Sequence, residues 1–190
     1  MGWRSYGTIV LTWIVDIDNI LQCIAGFIFF GWCGYWLVHL LAIIYAKYKL
    51  HKKLKIDPEK PRPSVSIIKP LLGVDSNLAS NIESFFLLEY PIFEILFCVQ
   101  TDDDPALMLV KTMVAKYPNT DCRIFTGGKN VGLNPKINNM MPAYEACKYS
   151  LILVSDSGIR MKPDTLDDIV LSLKDNVGIV TQMPYCCDRK

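Results

Sequence analysis

Residues 151–158 read LILVSDSG: four apolar positions, a serine, then an aspartate followed by another small residue and a glycine. A short apolar run without polar alternation fits a strand buried on both faces, as parallel sheets require. Asp156 falls where that strand ends, and Ser157 and Gly158 leave room for a ligand to approach. Working outward, the same unit recurs. Residues 65–69 (VSIIK) predict a first strand ended by Pro70, residues 93–100 (FEILFCVQ) a second, residues 122–125 a third running into Gly127 and Gly128, and residues 177–181 a fifth. Helical spacing lies between them. Residues 76–88 carry Leu78, Ile82, Phe85 and Phe86 on one face, with Asp75 or Ser76 as cap and Tyr90-Pro91 as stop. Further helices are expected over 106–117, from Pro135 with Asn134 as cap, and over 165–174. Five strands alternating with helices imply an α/β domain whose parallel sheet is covered on both faces. Ligands then bind beyond the carboxyl ends of the strands, so the residues after Gln100, Phe125, Ser155 and Thr181 are the ones to interrogate.

The second strand ends in Thr101-Asp102-Asp103-Asp104-Pro105 and the fourth in Asp156-Ser157-Gly158, which points two acidic positions at one crevice. A carboxylate there accepts hydrogen bonds from a uracil or ribose, and it ligates Mg²⁺ or Mn²⁺, hard ions that hold a diphosphate through oxygen. Such an ion offsets the charge that builds on a departing diphosphate. Asp104-Pro105 is equally an ordinary helix start, a cap worth about 1 kcal/mol. At Asp156, after a wholly apolar strand and before a small residue and a glycine, a functional role is favoured over a structural one. Between the two lie Gly127-Gly128-Lys129 and Asn134-Pro135-Lys136-Ile137-Asn138-Asn139, which bring lysines and amides near the third strand end. Lys136 is placed to pair with a phosphate, or to be a solvated lysine of a first helical turn.

Several classes of chemistry are excluded. The two histidines, His39 and His51, fall in an apolar run and a lysine cluster, so triads built on histidine are ruled out. Neither a Walker A loop nor GxGxxG is present. The seven cysteines are odd in number and scattered without a Cys-x-x-Cys pair, which argues for reduced thiols rather than a disulfide framework or a zinc site. A net charge of +1 gives no argument for nucleic acid as a partner.

With 51% hydrophobic residues the chain has more apolar content than one domain of 190 residues needs, and the surplus is concentrated. Residues 20–46 carry no formal charge and reach roughly 40 Å as a helix, enough to cross a hydrocarbon core of ~30 Å. A buried soluble helix is the alternative, but such helices seldom stay apolar on every face. Lys47, Lys49, Lys52, Lys53 and Lys55 follow the span whereas Arg4 and the terminal amine precede it, so the positive-inside rule directs everything after Ala46 to the cytosol. The lysine collar serves as a topogenic signal or as an attraction for anionic lipid. Residues 7–15 have the length of a signal-peptide core, but Asp16 and Asp18 follow where small residues would mark cleavage, and a lumenal lead-in is the reading taken. Beyond Lys55 there are 14 basic and 17 acidic residues, so the cytosolic part is slightly acidic. The expected organisation is a lumenal segment over 1–19, a transmembrane helix over 20–46, a basic linker over 47–63 and the α/β domain over 64–190.

The series IIKPLLGVDSNL, FCVQTDDDP, GGKNVGLNPKINN, SDSGIR and PDTLDD, in this order behind one N-terminal span, closely resembles the ceramide glucosyltransferase family. That resemblance implies a GT-A (Rossmann-like) nucleotide-sugar-binding domain, incomplete at its C-terminus, behind one transmembrane helix. It implies transfer of glucose from UDP-glucose to ceramide at a Golgi membrane, with inversion at the anomeric carbon, a divalent cation (Mn²⁺ or Mg²⁺) and membrane lipid around the anchor. By position, Asp104 resembles the family's first motif aspartate, which engages the nucleotide. Asp156 resembles the second, near the diphosphate and the metal, and Lys136 and Asn138 join them as substrate-binding candidates. The family commonly reads Gln-Asp-His-Asp-Asp-Pro at the first motif, where this chain has Thr101 and Asp102 in the Asp and His places. The family's general base and its Arg-Trp motif are expected beyond Lys190, so no catalytic base is assigned within these residues. A homo-oligomer is compatible with this reading. Two other readings share the features: a GT-A enzyme with a polyprenyl-phosphate acceptor, and a catalytically silent membrane-anchored binding protein.

Overall fold

The computed structural model describes residues 3–50 and 62–186, with side chains over 18–49 and 62–186. The chain divides into two units, residues 1–53 and 54–190. The first is a single helix, α1 (Trp3–Tyr45), closed by a π-helical turn over Ala46–Leu50 that carries Lys47 and Lys49. No break separates the segment before Ile20 from the apolar run, so the lead-in is helical too. Its stretch Asp18–Lys49 is long and apolar enough to cross a membrane, and none of it is buried. Large side chains such as Phe27, Phe30, Trp32 and Leu41 face outward around the helix, which suits a lipid surrounding rather than a protein core. The remaining lysines of the basic collar, Lys52, Lys53 and Lys55, lie outside the described residues.

The second unit is α/β. Four strands, β1 (Val65–Leu71), β2 (Phe93–Val99), β3 (Cys122–Thr126) and β4 (Leu151–Val154), form one parallel sheet in the order β3-β2-β1-β4. The helices are α2 (Leu78–Phe86), α3 (Pro105–Lys116), α4 (Pro135–Glu145) and α5 (Thr165–Leu171). Alternate residues of β1 point to opposite faces. Val65, Ile67 and Leu71 join Leu78, Ile82 and Phe85 of α2, Val110 of α3 and Leu166 of α5 in the larger core. Ile68 of β1, with Leu96 and Cys98 of β2, packs on the other face against Ala143 of α4. Burying these side chains contributes roughly 2 kcal/mol each. The described cysteines are all free, in keeping with reduced thiols.

Four expectations need correction. The strand β4 is not buried on both faces: it is an edge strand of the described sheet, and Ile152 and Val154 are exposed. Pro70 does not end β1, which runs through it to Leu71 with Pro70 opposite Cys98. Residues 177–181 do not form a fifth strand: the Val177 amide closes a turn on the Lys174 carbonyl, and Ile179 is 82% exposed. Apolar, β-prone residues need a neighbouring ladder to become a strand, and these have none. Finally, α2 is preceded by Asn77 in place of Asp75 or Ser76, and the Asp75 carboxylate accepts from the Asn77 amide instead of capping the helix.

At the amino end of the sheet a buried carboxylate holds several elements together. Glu94 of β2 is fully buried and accepts from Ser66 Oγ (2.6 Å), the Lys148 amide (2.7 Å) and Arg123 Nη2 (2.7 Å). Burial by itself pushes its pKa up. The Ser66, Lys148 and Arg123 hydrogen bonds outweigh that and hold the carboxyl below the usual glutamate range. Its stabilising contribution is therefore full above the ordinary glutamate pKa and is lost as pH falls through the depressed value. Glu94→Gln is expected to destabilise the domain by about 1–3 kcal/mol at neutral pH, since an amide cannot accept all three hydrogen bonds or balance the charge of Arg123, which keeps the Ala146 carbonyl (2.6 Å). Thermal melts followed by circular dichroism should also show the parent losing more stability than the variant on acidification from about pH 6 to about pH 3; parallel pH profiles would contradict the assignment.

Candidate functional site

In the order β3-β2-β1-β4, the chain steps from β1 to one side for β2 and to the other for β4. The crevice between the carboxyl ends of β1 and β4 is thus the topological switch point, where open α/β sheets bind ligands. The Ser155 amide extends the ladder by one bond to the Ile68 carbonyl (3.0 Å), and residues 156–159 then form a turn closed from the Ile159 amide to the Asp156 carbonyl (3.1 Å). The Asp156 side chain stands 63% exposed on this turn and forms an ion pair with Lys136 Nζ. Lys136 lies in the first turn of α4, which Asn134 caps by accepting the Lys136 amide (3.0 Å), with Pro135 at the first helical position. An exposed pair of this kind adds little stability, so it can be exchanged for other ionic partners at small cost.

Below the turn, Lys69 of β1 is fully buried. Its Nζ donates to the Asp156 carbonyl (2.8 Å), makes a longer contact to the Ile159 carbonyl (3.4 Å) and lies 4.0 Å from the centre of the Phe85 ring. Burial pushes the Lys69 pKa down to about 7, against a partial upward pull from the Asp156 carboxylate. Two residues of α2 hold the same loop. Asn81 Nδ2 donates to the Ser157 carbonyl (3.1 Å), and Ser84 Oγ accepts the Met161 amide (3.0 Å). Ser155 Oγ is buried without a hydrogen-bond partner among the described residues.

The carboxylate after β2 is differently engaged. Asp104 caps α3 by accepting the Ala106 amide (2.8 Å), and both its oxygens accept the amide of Gly73 (3.1 and 3.0 Å) in the loop after β1. Gly73 has φ +63°, which lets its amide turn toward that carboxylate. Asp104 thus fixes the wall of the crevice on the β1–β2 side.

Asn138 likewise serves the backbone. Its Oδ1 accepts the amides of Val131 (3.0 Å) and Gly132 (3.1 Å), its Nδ2 donates to the Gly132 carbonyl (2.9 Å), and its own carbonyl accepts the Lys129 amide (2.8 Å). Gly128 passes so close that an added Cβ would meet the Asn138 carbonyl oxygen at 2.9 Å, and its φ is +58°. A small cavity of about 190 Å³ lies here, lined by Gln100, Gly128, Asn130 and Asn139 among others. Asn139 is buried, donates to the Cys98 carbonyl (3.2 Å) and leaves its Oδ1 without a partner among the described residues.

Of the four residues singled out from sequence, Asp156 and Lys136 meet side chain to side chain, whereas Asp104 and Asn138 act on loop backbones. Sequence reasoning missed Lys69. The available signal was a lysine inside VSIIK, a run expected to be buried on both faces, where an ammonium survives only with a fixed set of acceptors.

Residues 34–190 match the profile described as "Glycosyl transferase family 21". The chain belongs to that family. The family 21 chain is 49% identical over 178 residues to Ceramide glucosyltransferase 3 of Caenorhabditis elegans, covering 93% of this chain and 38% of the relative. It is 42% identical over 184 residues to Ceramide glucosyltransferase 1 of the same organism, covering 95% and 39%. It therefore spans about two fifths of the length of these relatives. Among solved structures, the mannosyltransferase PcManGT from Pyrobaculum calidifontis, in complex with GDP-Man and Mn²⁺, superposes with a TM-score of 0.55 at 19% identity over 72% of this chain and 40% of that one. At that identity the likeness speaks for the GT-A fold.

For the family 21 chain, Gly128→Ala forces a side chain into a left-handed conformation against a carbonyl oxygen, at a cost of about 1–3 kcal/mol. Hydrogen exchange should quicken at the amides of Lys129, Val131 and Gly132 in Gly128→Ala and in Asn138→Ala alike; unchanged protection in both would refute the clamp.

Proposed function

We propose that this chain acts in the transfer of glucose from UDP-glucose to ceramide, and that its described residues form the donor side of that reaction. The observation that carries the reading is the Asp156 carboxylate, exposed at the switch point and already engaged by a cation, the Lys136 ammonium. A position that holds an ammonium on a hard oxygen suits a divalent cation as well. Among the described residues no group of three or more His, Cys, Asp or Glu side chains converges. Asp156 would therefore hold a Mn²⁺ or Mg²⁺ ion whose remaining ligands are diphosphate and water oxygens, the usual habit of such ions beside nucleotides. When bound, the ion supplies positive charge against the leaving diphosphate.

The chain's own residues do the rest of the donor work. Released from Asp156, Lys136 turns to a phosphate oxygen and keeps local charge balanced. Asp104 orients the Gly73 loop that forms the wall for the nucleoside, and Asn138 shapes the loop on the far side. The anchor helix keeps this crevice at a membrane, where a ceramide acceptor resides. The lysines after the span favour a cytosolic face, and the Golgi is the compartment that the family resemblance suggests.

The test is calorimetric binding of UDP-glucose to the chain in detergent micelles, with and without Mn²⁺. Asp156→Ala is expected to weaken the Mn²⁺-dependent affinity roughly tenfold or more and to abolish the difference that the metal makes. Equal affinities in the parent and the variant would overturn the proposal.

A further inference from the structure

The turn that carries Asp156 is gripped from inside the core. Three of its four carbonyls have side-chain donors: Asp156 and Ile159 face Lys69 Nζ (2.8 and 3.4 Å), and Ser157 accepts from Asn81 Nδ2 (3.1 Å). Lys69 is fully buried and Asn81 is 1% exposed. They come from different elements, β1 and α2, and converge on one turn. Among the described residues Lys69 has no carboxylate within ion-pair distance; its ammonium is satisfied by carbonyls and the Phe85 ring. A buried ammonium is a costly way to fill a core position that Met or Leu would fill at no electrostatic cost. What it supplies that an apolar side chain cannot is a fixed attachment for the backbone on both sides of Ser157 and Gly158, in a turn whose small residues would otherwise move freely.

We propose that Lys69, with Asn81 beside it, is a positioning pair for the donor site: by binding the carbonyls of residues 156, 157 and 159 it sets the direction of the Asp156 carboxylate and hence the strength of metal-dependent nucleotide-sugar binding. This rests on the donor-site reading above. Neither side chain touches the ligand. Lys69 acts through the Asp156 main chain, and Asn81 through that of Ser157, so their loss should loosen the turn while the sheet stays intact.

The experiment uses the full chain in micelles with the variants Lys69→Met and Asn81→Leu. Three quantities are measured on each: hydrogen exchange at the amides of residues 157–159, calorimetric UDP-glucose affinity with Mn²⁺, and the Mn²⁺ electron paramagnetic resonance spectrum with UDP-glucose bound. Lys69→Met is expected to speed exchange at Ile159 by about tenfold, to weaken Mn²⁺-dependent affinity by a similar factor, and to broaden the Mn²⁺ spectrum, while exchange in β1 and β2 stays as in the parent. Asn81→Leu, built on a different element, should move the same readouts in the same direction. A merely structural role predicts faster exchange throughout the sheet with an unaltered spectrum of the bound ion, and that result overturns the proposal, as does Ile159 exchange equal to the parent in both variants. If the parent itself shows no Mn²⁺-dependent binding, the donor-site reading fails and the link to binding falls with it, whereas the exchange data still decide whether the pair holds the turn.

Discussion

Pro70 has no N–H to offer along the edge of β1 that faces β4, and the ladder between these two strands stops short of it. The Ile68 carbonyl accepts the Ser155 amide, so the even-numbered groups of β1 face β4. Pairing with β4 ends at Ile68 opposite Val154, while β1 continues beside β2 as far as Leu71 opposite Val99. A proline at that register removes the donor that another residue of β4 would need. The result is a step of three residues at the switch point, with Lys69 beneath it and the turn carrying Asp156 above. Because β4 ends there, its chain is free to turn across the end of β1 rather than run on alongside it.

That step also sets the charges. Asp156 sits between two lysine side chains, Lys69 on its main-chain side in the core and Lys136 on its side-chain side in solvent. The two cannot exchange roles. Lys69 is held by burial and by fixed carbonyls, whereas Lys136 is half exposed and keeps its partner only through an ion pair that water competes for. On the proposed donor-site reading, an anionic ligand arriving with a divalent cation would meet a carboxylate whose backbone is held from the core and whose counter-ion is exposed. Asp104 contributes on the opposite wall through Gly73, again by holding backbone in place.

Much of this was legible in the residues. FEILFCVQ is a nearly uninterrupted apolar run because β2 is buried on both faces, and with LILVS it marked the parallel sheet and its carboxyl ends, although β4 lies at the edge of the described sheet with Ile152 and Val154 exposed. Asn134-Pro135 and Asp104-Pro105 marked helix starts correctly because cap chemistry is local. Non-local facts were hidden. Whether VGIV at 177–180 forms a strand depends on a free edge elsewhere, and whether Pro70 ends its own strand or its neighbour's depends on which edge its nitrogen faces. A sequence likewise does not reveal that the amides of Gly73, 31 residues before Asp104, and of Gly132, 6 residues before Asn138, engage those side chains. For the same reason Lys69 read as an ordinary strand residue.

The N-terminal helix needs no such context: Asp18–Lys49 is long and apolar enough to cross a membrane, and 0% of its apolar span is buried by protein. The central claim is that a divalent cation and a nucleotide sugar meet at the crevice between β1 and β4. Paramagnetic broadening of amide resonances by Mn²⁺, recorded on the chain in micelles with UDP-glucose present, tests this most directly. The account predicts broadening centred on residues 156–159 and on Lys136, with Glu94 and Lys148 at the other end of the sheet spared. Broadening centred on the Asp121 and Lys148 end, or none that depends on UDP-glucose, would contradict it.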